Sequence, residues 1–207
     1  YYPIQSRFPQ IQGTPIAYWV SPQIFDAFSK ATPLRKIARA RSGAKTGNNE
    51  LFIRTWWEVS ILKSSLDTKN SEGCKTSKCK WFPHNKGGSF RSWYGNRELL
   101  VNFEGAGEAI KKNGEITGAS YDINAQDVYF HKGITWTALT SSKNSFRYSP
   151  EGCVFDSNKG PMLFPSSDET LLYILALLNS PVAQEIFKIL NPSLSLQNGD
   201  VDKLPII

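Results

Sequence analysis

One stretch of the sequence interleaves positively charged side chains with aromatic rings. Residues 78–96 read KCKWFPHNKGGSFRSWYGN. After Lys78 the stretch contains three cations and five aromatic residues: Lys80, Lys86 and Arg91, and Trp81, Phe82, Phe90, Trp93 and Tyr94. Such a composition suits nucleic acid, because phosphates attract cations and unstacked bases stack on flat rings. It also suits a half-buried hairpin whose rings fill a core, so both interpretations stay open.

A second group of residues has the side chains of a metal site. Cys74, Cys79 and His84 follow one another at five-residue intervals, and His131 and Cys153 lie further along the chain. Zinc ligands are usually separated by two to four residues, a spacing that these intervals meet only at its edge. The alternative is loop cysteines with a turn histidine. A Cys/His nucleophile pair is disfavoured, since only nearby lysines would lower the thiol pKa. We therefore predict no metal site.

A third motif resembles a cofactor loop. Residues 101–107, VNFEGAG, have the F-x-G-x-G form in which methyltransferase glycines approach S-adenosylmethionine. Such a loop needs a later N-P-P-aromatic element, and the sequence contains no Pro-Pro; residues 191–194, NPSL, only begin like that element. No glycine-rich loop ends in Gly-Lys-Ser/Thr either. We predict that the glycines form a strand-end turn and that the chain is not an independent enzyme.

Positive charge is concentrated in two neighbouring segments. The formal net charge is +6. Residues 30–63 contain eight basic residues against Glu50 and Glu58, and so account for the whole excess. Residues 73–97 add six basic residues and no acidic one. These segments predict a local positive field that attracts a polyanion, although a solvated surface has the same composition.

The overall composition predicts a soluble, cytoplasmic globular protein. The chain has 207 residues, of which 40% are hydrophobic and 20% charged. The longest apolar run, residues 171–178, is far shorter than the ~20 residues of a membrane helix. Three cysteines give no disulfide framework. The sequence begins on YYPIQ without methionine and ends on KLPII, which predicts a fragment of a longer protein.

Local patterns predict an α+β fold, with helices packed on a mostly antiparallel sheet. Strand-like runs occupy residues 51–62, 99–103, 128–139 and 145–155, the last folded at a turn over 149–152. Residues 46–49, Thr-Gly-Asn-Asn, form a turn before the first run. Ser21-Pro22 starts a helix that ends near Lys30, Asp168 caps a leucine-rich helix, and Ser180-Pro181 starts another. Residues 64–75 are expected to be a loop.

Several of these segments together resemble a known family. They are SRFPQIQGTPIAYWVS, ARSGAKTGNNELFIRTWWEVS, KWFPHNKGGSFRSWYGN, GITWTALTSSKNSFRYSPEGCVFD and LLNSPVAQEIFKILNPSLSLQNGDVDKLPI. In order, they resemble the C-terminal, target-recognition part of the PglX adenine-specific (N6) DNA methyltransferases of BREX phage-defence systems. The most specific elements are W-F-P-x-N-K-G-G-x-F-R-x-W-Y-G-N and T-G-N-N-x-x-F-x-R. His84 departs from the pattern, since an aromatic residue is expected there.

The resemblance implies a fold, a cofactor and partners. The family is related to type IIG restriction-modification enzymes and to TaqI-like C-terminal specificity domains. Residues 1–207 would form one DNA target-recognition domain with no cofactor of its own. Its partners would be double-stranded DNA, an N-terminal methyltransferase domain of the same chain that binds S-adenosylmethionine, and other BREX proteins, with no membrane contact.

The resemblance also implies which residues contact DNA. Lys80, Lys86 and Arg91 would bind phosphates, Asn85 a base edge, and Trp93 or Tyr94 would stack, although both rings also suit a core. The turn would line the cleft for a flipped adenine, and a third polar-basic cluster would lie in the same groove. These further residues are Thr46, Asn48, Asn49 and Arg54 of the turn, and Trp136, Ser142, Lys143 and Arg147 of the cluster.

Two consequences can be tested on a structure and in solution. If residues 81–91 alternate as a strand, Lys86 and Arg91 face solvent while Trp81 or Phe82 lies in the core. The alternative to DNA binding is a protein-interaction module of a phage-defence assembly, whose basic face docks an acidic partner or is captured by a phage DNA mimic. Salt-dependent retention on duplex DNA separates the two hypotheses.

Overall fold

The computed structural model describes residues 5–13, 15–141 and 143–206. The strands are β1 (Thr32–Pro33), β2 (Ala40–Arg41), β3 (Ile53–Thr55), β4 (Trp81–Asn85), β5 (Leu99–Asn102), β6 (Gly133–Trp136), β7 (Phe146–Ser149), β8 (Val154–Phe155), β9 (Met162–Leu163) and β10 (Pro205–Ile206). The helices are α1 (Pro22–Lys30), α2 (Asn49–Phe52), α3 (Ser71–Thr76), α4 (Glu104–Thr117), α5 (Asp168–Leu178), α6 (Pro181–Leu190) and α7 (Asn198–Val201). Short 3-10 helices lie at Gln5–Gln10, Leu34–Lys36, Trp56–Glu58 and Ile61–Lys63.

Two four-stranded sheets organise the chain. The first sheet has the order β2-β9-β6-β7 and is antiparallel throughout. The second sheet has the order β3-β5-β4-β8, in which β4 and β8 are parallel and the other pairs antiparallel. β1 and β10 form a separate antiparallel ribbon. The predicted α+β class with mostly antiparallel strands is therefore confirmed.

Helices α5 and α6 cover the first sheet. Their buried residues share one hydrophobic cluster with the sheet, which includes Ile134, Trp136, Phe146, Leu171, Ile174, Leu178 and Phe187. Serine hydroxyls begin both helices: Ser167 Oγ accepts the N–H of Thr170 and Ser180 Oγ accepts that of Ala183. The prediction that these helices pack on a sheet is confirmed, but the cap of α5 is Ser167, and Asp168 is its first residue.

The second sheet packs against α4 in an aromatic cluster. Phe82 lies 5.6 Å from Phe130 between ring centroids, and Phe103 lies 5.2 Å from Tyr129. At the start of α4, Gly105, Ala106 and Gly107 all have positive φ. The VNFEGAG motif is thus a strand-end turn, as predicted from its glycines.

Several predicted boundaries are wrong. Residues 51–62 contain only the three-residue strand β3, between α2 and two 3-10 helices, and residues 64–75 contain most of α3, which Asn70 caps. Within 128–139 only β6 is a strand. The turn over 149–152 exists, but β7 and β8 on its two sides belong to different sheets. Local patterns cannot report these partners, which lie far away in sequence.

One helix pair has the composition of a broken membrane segment. No single helix within the described ranges is both long and apolar enough to span a membrane. Helices α5 and α6 pass that test only as a pair, and this pair bends by 71°.

Candidate nucleic-acid interface

The loop that follows β4, residues 86–97, is held by close backbone contacts. Gly87 has a φ of 82°, and a Cβ there would lie 2.5 Å from the carbonyl oxygen of Lys159. Thr137 Oγ1 donates to the Gly88 carbonyl at 3.2 Å. Asn96 closes the loop by donating from Nδ2 to the Ser89 carbonyl at 2.9 Å. The 86–97 loop therefore lies against the end of β6 and the segment before β9.

Trp93 holds the 86–97 loop on β7 and exposes its own ring. The Trp93 N–H donates to the Phe146 carbonyl at 2.9 Å, and its carbonyl accepts the Tyr148 N–H at 2.8 Å. Its φ is 75°, a left-handed value that is costly for a bulky side chain. The residue is nevertheless 54% exposed, and Phe90 and Tyr94 are exposed beside it in sequence. The loop thus presents three rings to solvent, as an aromatic stacking surface requires.

Arg147 lies beneath the loop and not on the surface. It is only 1% exposed, and its guanidinium donates to the Arg91 carbonyl at 3.4 Å, to Ser145 Oγ at 3.2 Å and to Thr137 Oγ1 at 3.2 Å. Its Nε has no partner among the described residues. Burial lowers the pKa of Arg147 to about 10. Arg147 is thus inaccessible to DNA in this conformation and supports the loop instead.

Two other predicted DNA contacts are also buried. Trp136 is fully enclosed, and its Nε1 donates to the Leu196 carbonyl at 3.1 Å. Asn85 donates from Nδ2 to Ser149 Oγ at 2.7 Å, which connects the second sheet to the first. Neither side chain is exposed enough to contact a DNA base. Their polar atoms are used inside the protein, since buried polar groups need partners.

The predicted turn at 46–49 has a partly structural role. Asn48 Oδ1 accepts the Leu51 N–H at 3.1 Å and so caps α2. Arg54 Nη1 donates to the backbone carbonyls of Glu50 and, at 2.7 Å, Ile53. Thr46 is buried, and its hydroxyl hydrogen-bonds Asn49 Oδ1 at 2.8 Å. Asn48 and Asn49 are both exposed, so these two amides are accessible in this turn, although Asn48 Oδ1 is engaged in the cap.

The remaining predicted cations occupy different environments. Arg91 is exposed, with Nη1 4.0 Å from Glu98 Oε1, and the Lys80 ammonium lies 5.5 Å from the centre of the Trp81 ring. Lys143 is exposed at a groove of about 990 Å³ that Phe90 and residues of α6 also line. Ser142 lies outside the described residues.

The predicted strand alternation holds for the buried aromatic residue but not for the two cations. Phe82 is fully buried, as expected for one of the two aromatics. Lys86 and Arg91 lie beyond the end of β4, so strand alternation does not place them. Arg91 is exposed, but the Lys86 side chain is only 15% exposed and its Nζ lies 3.4 Å from Asp156 Oδ2. The prediction that Lys86 faces solvent is therefore wrong.

The structure adds residues that the sequence did not indicate. A pocket of about 200 Å³ is lined by Lys86, Thr46 and Asn49 together with Lys45, Gly47, Asp156, Ser157, Asn158 and Lys159. Residues 156–159 read DSNK, an ordinary loop composition that gives no signal on its own. This pocket connects the 46–49 turn to the start of the 86–97 loop.

The candidate metal ligands do not assemble. Among the described residues, no group of three or more His, Cys, Asp or Glu side chains could hold a metal ion. The cysteines are free, and Cys74 Sγ donates to the Phe103 carbonyl at 3.2 Å. Burial raises the pKa of Cys74 to about 11, which keeps it a neutral thiol.

Exposed apolar side chains occur where a strand was predicted. The run predicted as a strand instead leaves four large side chains exposed in its 3-10 helices: Trp56, Trp57, Ile61 and Leu62. Trp56 and Trp57 contact each other edge to face, with centroids 5.6 Å apart. The 3-10 turns of this segment turn these side chains outward, whereas a strand would have buried every second one.

Comparison with known proteins identifies homologues of the chain. No protein-family model matches it. It is 41% identical over 210 residues to the adenine-specific methyltransferase PglX of Lacticaseibacillus casei strain Zhang, covering 98% of this chain and 17% of that protein. It is 36% identical over 207 residues to the adenine-specific methyltransferase BrxX of Escherichia coli O9:H4 strain HS, covering 99% of this chain and 16% of that protein. The resemblance inferred from the sequence is confirmed: the chain is homologous, over nearly its whole length, to one segment of the adenine-specific methyltransferases PglX and BrxX.

Proposed function

We propose that this chain is a DNA-binding specificity module of an adenine-specific (N6) DNA methyltransferase that acts in phage defence. It would position duplex DNA for a methyltransferase domain of the same polypeptide, which supplies S-adenosylmethionine. The relatives are named for adenine-specific methylation, and this chain spans only 16–17% of their length. A division between a catalytic part and a DNA-reading part, as in TaqI-like enzymes, is consistent with that share.

The observation that carries the proposal is the surface of the 86–97 loop. It combines the exposed rings of Phe90, Trp93 and Tyr94 with the exposed guanidinium of Arg91. Lys143 lies across the groove that Phe90 lines. Cations would bind phosphates and the rings would stack on bases or sugars, which is how proteins grip nucleic acid without an enclosed pocket.

The backbone of Trp93 supports a binding role for its ring. A left-handed conformation is costly for tryptophan, and two main-chain hydrogen bonds hold it here. Packing does not account for that cost, since more than half of the residue is exposed. Strain retained at an exposed aromatic residue is typical of a ligand-contacting position.

The test is retention of duplex DNA at two salt concentrations. We expect the 207-residue chain to bind in the nonspecific range of ~10⁻⁴ to 10⁻⁶ M and to weaken steeply with salt. Arg91→Ala and Lys143→Ala should each weaken binding and lower the salt slope by about one. Lys111→Ala, at an exposed position of α4 outside both basic segments, is the matched control. Absence of binding at low salt, or salt-independent binding, would overturn the proposal.

An acidic protein partner would use the same cations, so the alternative needs its own criterion. If the chain did not bind DNA at low salt but bound another phage-defence protein through Arg91 and Lys143, the interaction-module hypothesis would be favoured. Methyl transfer gives a further check. With labelled S-adenosylmethionine and DNA, this chain alone should incorporate no methyl group, and incorporation would contradict a purely DNA-binding role.

A further inference from the structure

Three lysines from distant segments converge on the 200 Å³ pocket described above, hereafter the lysine pocket. They are Lys45, Lys86 and Lys159. Main-chain hydrogen bonds next to Lys45 and Lys86 connect both to the segment that contains Lys159: Ser157 donates to the Ala44 carbonyl at 3.0 Å, and Asp156 donates to the Asn85 carbonyl at 2.8 Å. The lysine backbones are therefore positioned by sheet-like pairing of their neighbours.

The one carboxylate lining the lysine pocket is already occupied. Asp156 Oδ1 accepts the N–H groups of Asn158 at 2.9 Å and Lys159 at 2.8 Å. Its Oδ2 lies 3.4 Å from Lys86 Nζ. The lining residues thus include three lysines and one aspartate, and both carboxylate oxygens of that aspartate already contact other groups. The pocket keeps an excess of positive charge, which favours an anion.

Lys86 is the inner cation of the lysine pocket. Burial lowers its pKa, and the nearby Asp156 carboxylate opposes that effect. Beside it, His84 is buried; neither ring nitrogen has a hydrogen-bond partner among the described residues, and Nε2 lies 3.9 Å from Asp156 Oδ2. Burial lowers the pKa of His84 well below its ordinary value, so this ring adds no charge at neutral pH. An entering anion would meet an ammonium that has little water around it, where attraction is strong.

A neutral donor completes the lining. The Thr46 hydroxyl hydrogen-bonds Asn49 Oδ1, which fixes the amide orientation and leaves Nδ2 without a side-chain partner in the described ranges. Lys45 Nζ donates to Ser120 Oγ at 2.9 Å, so that its ammonium is also held in place. Fixed amide and ammonium donors around a small cavity match the several acceptor oxygens of a phosphate.

From this geometry we infer that the lysine pocket is a phosphate-binding site, with Lys86 as its inner cation and Lys45, Lys159 and Asn49 as further donors. The phosphate chemistry stands on the pocket alone. Its assignment to a DNA backbone phosphate rests on the proposed function. A free phosphate is the other source of the same group, and the experiment separates the two.

The experiment titrates the chain with inorganic phosphate and, separately, with duplex DNA. Backbone amide NMR signals of residues 45–49 and 156–159 report phosphate binding, and gel retardation at two salt concentrations reports DNA binding. The variants are Lys86→Met, which keeps the apolar stem, and Lys159→Ala, whose exposed side chain is not needed for folding. Lys111→Ala is the control.

The inference expects phosphate-induced shifts in the parent and in Lys111→Ala that are reduced in both pocket variants. It also expects both variants to lower the salt slope of DNA binding by about one, with no dependence on DNA sequence. If Lys86→Met fails to fold, Lys159→Ala decides. Phosphate shifts without any DNA binding would keep the site and refute the proposed function. DNA binding by both variants equal to that of Lys111→Ala, without phosphate shifts at the pocket in the parent, would overturn the site and leave the function standing.

Discussion

Trp93 and Arg147 lie side by side in a parallel β-bridge, the first with its ring exposed and the second with its guanidinium buried. The sequence suggested that both contact DNA. The two residues have different roles. The backbone around Arg147 holds Trp93 in its left-handed conformation, and the Arg147 side chain donates a hydrogen bond to the Arg91 carbonyl.

Replacing Trp93 by glycine separates binding from folding. Glycine adopts positive φ without steric cost, and little packing is lost because the residue is 54% exposed. We therefore expect Trp93→Gly to melt near the parent temperature. DNA affinity at low salt should fall about tenfold or more, since a base–aromatic stack contributes about 1–3 kcal/mol. Thermal denaturation and gel retardation measure the two effects.

The matched control for Trp93 is Trp19, another tryptophan of 54% exposure, which contacts Tyr18 edge to face. Trp19→Ala should leave DNA binding unchanged. Equal DNA affinity of Trp93→Gly and the parent would show that the exposed ring of Trp93 does not stack.

Arg147→Ala should destabilise the protein before it affects binding. The substitution leaves a cavity and removes hydrogen bonds to Arg91, Ser145 and Thr137, at a cost on the order of 2–4 kcal/mol. Arg147→Met should recover part of this loss by filling the space. Chemical denaturation gives the free energies of unfolding. A stable Arg147→Ala variant with lost DNA binding would instead mean that Arg147 reaches DNA directly.

Alanine substitutions of Phe82 and Arg91 should have different effects: the first should lower stability and the second should weaken DNA binding. Phe82 is fully buried against Phe130, so Phe82→Ala should cost on the order of 3–5 kcal/mol of unfolding free energy. Arg91 is exposed, so Arg91→Ala should change stability by no more than about 0.5 kcal/mol while weakening salt-dependent DNA binding. Melting curves and binding titrations on the two variants make the comparison. A large loss of stability in Arg91→Ala would contradict its place on the surface.

Stability should depend on His84 at mildly acidic pH. Its folded pKa is lowered by burial, so the unfolded chain takes up a proton below the ordinary histidine value of about 6.5 while the folded chain does not. Proton uptake by the unfolded chain therefore leaves the free energy of unfolding unchanged above that pH and lowers it progressively as the pH falls below it. Between pH 7.5 and 5.5 the parent should lose about 1.4 kcal/mol more than His84→Phe, a variant that cannot titrate.

Urea denaturation at the two pH values measures the free energies of unfolding of the parent and of His84→Phe. If His84→Phe lost as much stability as the parent on acidification, the buried imidazole would not be the responsible group.

The sequence by itself determined the features that local interactions control. Serine and proline at the start of α6, and proline at N1 of α1, mark helix ends because capping depends only on neighbours along the chain. The leucine-rich composition of α5 predicted that it packs on a sheet, although Leu172 is 62% exposed. The resemblance to PglX was also readable from motifs such as WFPHNKGGSFRSWYGN, and the comparison confirms it.

Only the tertiary structure decided which polar and aromatic side chains are accessible. Arg147, Trp136 and Asn85 are buried by partners 56, 60 and 64 residues away, and Trp93 is exposed because β7 holds its backbone. Residue type does not determine such contacts, because an aromatic ring or an amide suits either a core or a surface. The lysine pocket has the same origin: Lys45, Lys86 and Lys159 meet because strand pairing brings distant segments together, a long-range event that no local pattern encodes.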